Sequence, residues 1–288
     1  MERIADMPHV TLEQATIDYH VFGPEDSLHP PVLFVHGILV DHRLWLKVAE
    51  GLARRGFRCI VPDWPLGSHK IPVNDGTELS PHGVAVMIRD LIVALDLSDV
   101  TLVGSDTGGG LCQLTIDAYP DHVGRLVLTN CDAFDKFPPF PFDVVFALLR
   151  GPMTIKMLFA QMRLKALRRS PLGFGLLMRD PDPALTDSWL DPCRADSRIC
   201  RDLAALLRHV AKTDLTDVST RLPEFTKPVT VVWGQADRCF TPALGRRLAA
   251  LFRHGTLIEV PDAKTFVALD EPEAVIGAIE NIGAQKPA

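Results

Sequence analysis

Apolar residues fall into short unbroken runs, separated by stretches in which they recur every three or four positions. The runs "PVLFVHG" (31–37), "FRCIVPD" (57–63), "RLVLTN" (125–130), "PVTVVWG" (228–234) and "TLIEVP" (256–261) predict buried strands. Residues 11–22 alternate weakly, as an antiparallel pair entering a sheet would. Between the runs, Leu44, Val48 and Leu52 share one helical face over 43–55. Val84, Ile88, Leu91 and Leu95 do the same over 80–95, where Ser80-Pro81 supplies a helix start. Strands without alternation, each followed by a helical pattern, predict an α/β fold with a mostly parallel sheet covered on both faces.

The middle of the chain breaks this rhythm. From about Phe134 to Leu222 the strand signal stops. "FPPFPF" (137–142) carries too many prolines for regular structure. Helical stretches rich in Leu, Met and Phe follow, interrupted by "DPDP" (180–183) and "DPC" (191–193). The expected organisation is a core of residues 1–133 and 223–288, with a helical cap of 134–222 inserted over the sheet's carboxyl edge. Open α/β sheets bind ligands at that edge.

Composition narrows the function. The 288 residues are 47% hydrophobic, enough for a sizeable core, and the net charge is −6 with basic residues scattered, which argues against a nucleic-acid partner. No apolar run approaches the roughly 18 residues of a membrane span, so no membrane partner is expected. The opening "MERIADMPHV" does not read as a signal peptide. The six cysteines lack CxxC spacing and read as reduced core residues, which fits a cytoplasmic protein. There is no dinucleotide fingerprint and no metal-ligand spacing, so neither cofactor nor metal is expected.

One stretch carries chemistry. In "LVGSDTGGG" (102–110) an apolar run from Val100 turns through small residues into a helix with Leu111, Leu114 and Ala118 on one stripe. A strand that turns sharply into a helix around a central residue flanked by glycines matches a nucleophile elbow. The central residue is Asp106. With the His36-Gly37 turn and the helical insertion, the chain resembles the α/β-hydrolases over nearly its whole length. Asp at the elbow resembles the haloalkane dehalogenase and epoxide hydrolase branch.

That resemblance implies an eight-stranded sheet with Asp106 as nucleophile, forming an ester with the substrate that an activated water then cleaves. The amides of Thr107 and Ile38 would be the oxyanion donors. The orienting acid would be Asp237, in "WGQADRCF", or Asp132, in "LTNCDAF". The branch places its base after the last strand, in a motif like "VPDAGHFVHLDEP". This chain reads "VPDAKTFVALDEP" (260–272), with Thr265 at the His position. A hydroxyl has no useful pKa for that role. His209, His69 or His42 would have to replace it.

Pocket residues expected on this reading are His36, Leu39, Trp64, Trp189 and His209. The cap tyrosines and halide-gripping tryptophan of the branch are missing, since Thr107 follows the nucleophile and the tyrosines are Tyr19 and Tyr119. Three functions remain open: a hydrolase of small or medium apolar substrates, a non-hydrolytic enzyme using Asp106 as a base, or a binding protein that lost turnover. A monomer or homodimer is expected.

Overall fold

The computed structural model describes residues 7–77, 79–149 and 151–284. The opening residues 1–6, on which part of the leader reading falls, lie outside it. Eight strands form one sheet in the order β1-β2-β4-β3-β5-β6-β7-β8. They are β1 (His9–Thr11), β2 (Thr16–Phe22), β3 (Val32–Val35), β4 (Cys59–Pro62), β5 (Val100–Asp106), β6 (Val123–Cys131), β7 (Val229–Gly234) and β8 (Gly255–Val260). β1 pairs antiparallel with β2, and β2 with β4; all other neighbours are parallel. The α/β expectation and the antiparallel entry pair are therefore met.

Helices α1 (Leu46–Ala53), α2 (Pro81–Ala94) and α3 (Thr107–Ala118) connect the first strands. Ser80 caps α2 by accepting from the Gly83 amide at 3.1 Å, as the Ser-Pro start implied. Between β6 and β7 lie α4 (Phe142–Leu148), α5 (Pro152–Gln161), α6 (Lys165–Arg169), α7 (Pro183–Ser188), α8 (Asp191–Ala195), α9 (Ser197–Val210) and α10 (Thr216–Arg221). The proline-rich 137–141 leads into α4 without regular structure of its own. α11 (Pro242–Ala249), α12 (Val267–Asp270) and α13 (Pro272–Gly283) follow among the described residues.

Central strands are buried on both faces: every residue of β3, β6 and β7 is inside. That burial explains why their sequences do not alternate. β8 differs from expectation. It ends the sheet, so only Val260 of its six residues is buried and Leu257 and Ile258 are half-covered. The cysteine reading also needs correction. Cys59, Cys112, Cys131 and Cys239 are free and buried, but Cys193 and Cys200 form a disulfide where α8 turns into α9, Cα atoms 4.8 Å apart. Their seven-residue spacing hid a proximity that only the helix–turn–helix geometry creates.

Among the described residues, no helix is long and apolar enough to cross a membrane.

Candidate active site

β5 runs to Asp106 and α3 begins at Thr107, with no intervening loop. The turn is possible because Asp106 adopts φ 55°, ψ −133°, a conformation that costs a non-glycine residue about 1–3 kcal/mol. Such strain persists only where the surroundings enforce it. Two glycines do so. A Cβ on Gly108 would sit 2.3 Å from the Val35 carbonyl oxygen, so only glycine lets α3 start against the end of β3. A Cβ on Gly37 would sit 2.1 Å from the Asp106 carboxylate oxygen Oδ2. The acid therefore lies directly on the backbone of the His36-Gly37 turn.

Asp106 is the one residue of β5 that keeps exposed surface, and that surface lines a cavity of about 220 Å³. Ile38, Leu39 and Thr107 line it too; the other walls are Leu, Phe, Pro, Val, Met and Gly residues between 138 and 190. No other charged side chain lines it among the described residues. Burial pushes the Asp106 carboxyl up to about 7; the Thr107 amide works against this, and the Asp237 charge adds to it.

Asp132 and Asp237 follow β6 and β7 at the same carboxyl edge. Their environments differ sharply. Asp237 Oδ1 accepts from the amides of Cys239 (2.7 Å) and Phe240 (3.1 Å). Its Oδ2 accepts from Asn130 Nδ2 (2.9 Å) and from the Thr265 hydroxyl (2.8 Å). Burial lifts its pKa to about 6 despite these four donors. Asp132 is buried with neither carboxyl oxygen hydrogen-bonded. Burial first, and the Asp106 charge second, hold its pKa well above the usual carboxylate range. The structure thus brings Thr265 to Asp237, not to Asp132.

Asn130 was not anticipated. It is fully buried at the end of β6, accepts from the Gly234 amide at 2.6 Å and donates to Asp237. A polar residue closing the apolar run "RLVLTN" was the available signal. Asn130→Leu leaves the buried Gly234 amide unpaired and Asp237 Oδ2 with the Thr265 hydroxyl as its remaining donor. It should cost roughly 2–4 kcal/mol of stability, measurable by urea denaturation.

The expected pocket residues divide. Leu39 lines the cavity; His36, Trp64, Trp189 and His209 do not. His36 is buried, and its Nε2 accepts from the Trp64 amide at 2.9 Å. Its Nδ1 therefore carries the proton, donated to the Gly37 carbonyl at 2.9 Å. The ring braces the turn behind Asp106, and burial lowers its pKa. Trp64 is spent on the core, donating Nε1–H to the Phe34 carbonyl. Trp189 donates to Asp41 at 3.0 Å and packs on Phe174 and Phe266. His209 is half-buried on α9.

The other histidines offered as a base are engaged elsewhere. His69 accepts from the Gly67 amide and meets Asp202 of α9 at 3.4 Å. His42 pairs with Asp63 at 2.8 Å and stacks on His20. His20, His42 and Asp63 bring ligand-type atoms within 4.8 Å of one another, the arrangement a metal ion could use. None of the three lines the cavity.

The family model described as "alpha/beta hydrolase fold" matches residues 30–272. Haloalkane dehalogenase 2 of Mycobacterium tuberculosis is 26% identical over 271 residues, 88% of each chain. A 2-hydroxy-6-oxononadienedioate/2-hydroxy-6-oxononatrienedioate hydrolase of Paraburkholderia xenovorans is 29% identical over 229 residues, 76% of this chain and 74% of the relative. The crystal structure of an α/β-hydrolase-fold protein from Burkholderia ambifaria superposes with a TM-score of 0.75 at 24% identity, covering 95% of this chain and 97% of that one.

Proposed function

The chain belongs to the α/β-hydrolase-fold family, and on that premise we propose that it is a dehalogenase-like hydrolase attacking small, uncharged, apolar substrates through Asp106. The observation that carries the reading is the strained Asp106 carboxylate as the one charged group, among the described residues, on an apolar cavity wall. Residues 134–222 serve as a cap, since they supply most of that wall.

In the first half-reaction an Asp106 oxygen bonds to a saturated carbon, and the leaving group departs with its electron pair. A halide needs no proton on leaving, which suits a wall whose polar side chains are those of Asp106 and Thr107. In the second, water adds to the ester carbonyl, and the amides of Thr107 and Ile38 take up the developing oxyanion. The acyl–oxygen bond then breaks, releasing an alcohol and regenerating Asp106. Water activation is the weak step, because Thr265 holds the base's position on Asp237.

That same observation favours a second reading, an enzyme or binding protein without hydrolytic turnover. A panel of alkyl halides, epoxides and esters, assayed for product, separates the two. Uncharged substrates should be converted and carboxylate-bearing analogues refused, because among the described residues the cavity offers no cation to meet a second negative charge. Conversion of charged analogues alone contradicts the proposed substrate class; no conversion across the panel favours the second reading.

A further inference from the structure

From Val144 to Met178 the chain has no Asp or Glu, yet carries Arg150, Lys156, Arg163, Lys165, Arg168 and Arg169. The protein as a whole is net negative at −6, so this stretch stands out in charge from the rest. Two of these cations serve the fold. Arg168 is buried against the carbonyls of Met162 and Arg163 and pairs with Asp187, while Arg169 pairs with Asp180. Lys156, Arg163 and Lys165 are exposed and make no ion pair among the described residues.

Interleaved with them are large apolar side chains turned outward. Val144 and Leu148 stand one turn apart on α4, as Met153 and Met157 do on α5, and Leu164 follows. Leu148 is 69% exposed and Met153 is 70% exposed. Isolated exposed apolar residues are ordinary on a protein surface, but paired stripes on consecutive helices are not. The same two helices line the cavity from within, through Phe146, Leu149, Leu158 and Phe159. Leu172 joins the two sides: it lines the cavity and is 81% exposed.

Outward apolar residues among unpaired cations are the composition of a surface that rests in the headgroup region of an anionic bilayer. We infer that α4, α5 and the basic stretch after them form a peripheral docking face for anionic lipid membranes. Seated there, the face would open the cavity toward the phase in which apolar molecules concentrate. A solvent-facing role leaves the outward apolar stripes unexplained. The inference stands on this surface alone and does not depend on Asp106 being the nucleophile.

Flotation with phosphatidylcholine vesicles, with and without phosphatidylglycerol, tests it on the full chain. The protein should float with the anionic vesicles and remain behind with the neutral ones, and high salt should release it. Lys156→Glu, Arg163→Glu and Lys165→Glu together should weaken vesicle binding roughly tenfold or more. Met153→Ser with Met157→Ser should weaken it at unchanged charge. Neither set touches the cavity lining, so thermal melts and cavity chemistry should be preserved. Equal binding to both vesicle types, or binding to neither, overturns the inference. So does a solution dimer that the charge reversals dissociate while anionic vesicles are ignored.

Discussion

Thr265→His should accelerate cleavage of an alkyl–Asp106 ester by about 10²–10⁴-fold, the usual worth of general-base assistance. The argument starts from Asp237, whose carboxylate is held by the Cys239 and Phe240 amides and by Asn130. Its remaining partner is the Thr265 hydroxyl at 2.8 Å. An imidazole at position 265 would place Nδ1–H on that oxygen and leave Nε2 free to take a proton from water. Thr265 is fully buried, so the larger ring brings an overpacking cost of about 1–3 kcal/mol. Ester decay followed by intact mass, in wild type and variant, reads the result. Rapid wild-type decay that the substitution leaves unchanged would mean that another group already activates water.

Asp106→Asn should abolish ester formation and stabilise the protein at alkaline pH. Burial raises the Asp106 pKa from 3.8 to about 7, so the folded state holds a proton that the unfolded chain has released. Stability therefore falls as pH rises from about 4 to 7, and the full cost of the buried carboxylate is present above that window. Asn carries no charge and escapes this cost. The expected gain at pH 8 is roughly 2–4 kcal/mol, or about 5–10 °C in Tm, shrinking toward nothing near pH 4. Thermal melts at the two pH values measure it, and a gain independent of pH would contradict the burial argument. The alkylation rate of the wild type has the opposite dependence. It should climb as pH rises through about 7 and then level, because the ionised carboxylate is the attacking form.

Much of this was legible along the chain because it is local. Apolar runs marked the strands, Ser80-Pro81 marked the start of α2, and glycines around Asp106 marked a turn. The β8 run was misread because an edge strand and an interior strand can share an apolar composition; position in the sheet decides burial. Side-chain direction was the other loss. Trp64 and Trp189 were read as pocket walls from their neighbourhood, yet each indole N–H is committed to an acceptor in the interior. His69 was offered as a base, but Asp202 lies 133 positions away in sequence and no local pattern announces that pair. Asn130 escaped for the same reason, since its partners Gly234 and Asp237 lie at the end of the next strand, 104 and 107 positions later in the chain. Thr265 was found only against a motif, and its hydrogen bond to Asp237 gives that departure a physical meaning.

The most direct test of the account is to treat the wild-type protein with a reactive primary alkyl bromide, quench in acid and map the peptides by mass spectrometry. The account predicts one alkyl group on the peptide that carries Asp106, accumulating because cleavage is slow and absent from Asp106→Asn. Alcohol released with no alkyl group on Asp106 at any quench time, or an alkyl group elsewhere that survives Asp106→Asn, would contradict it.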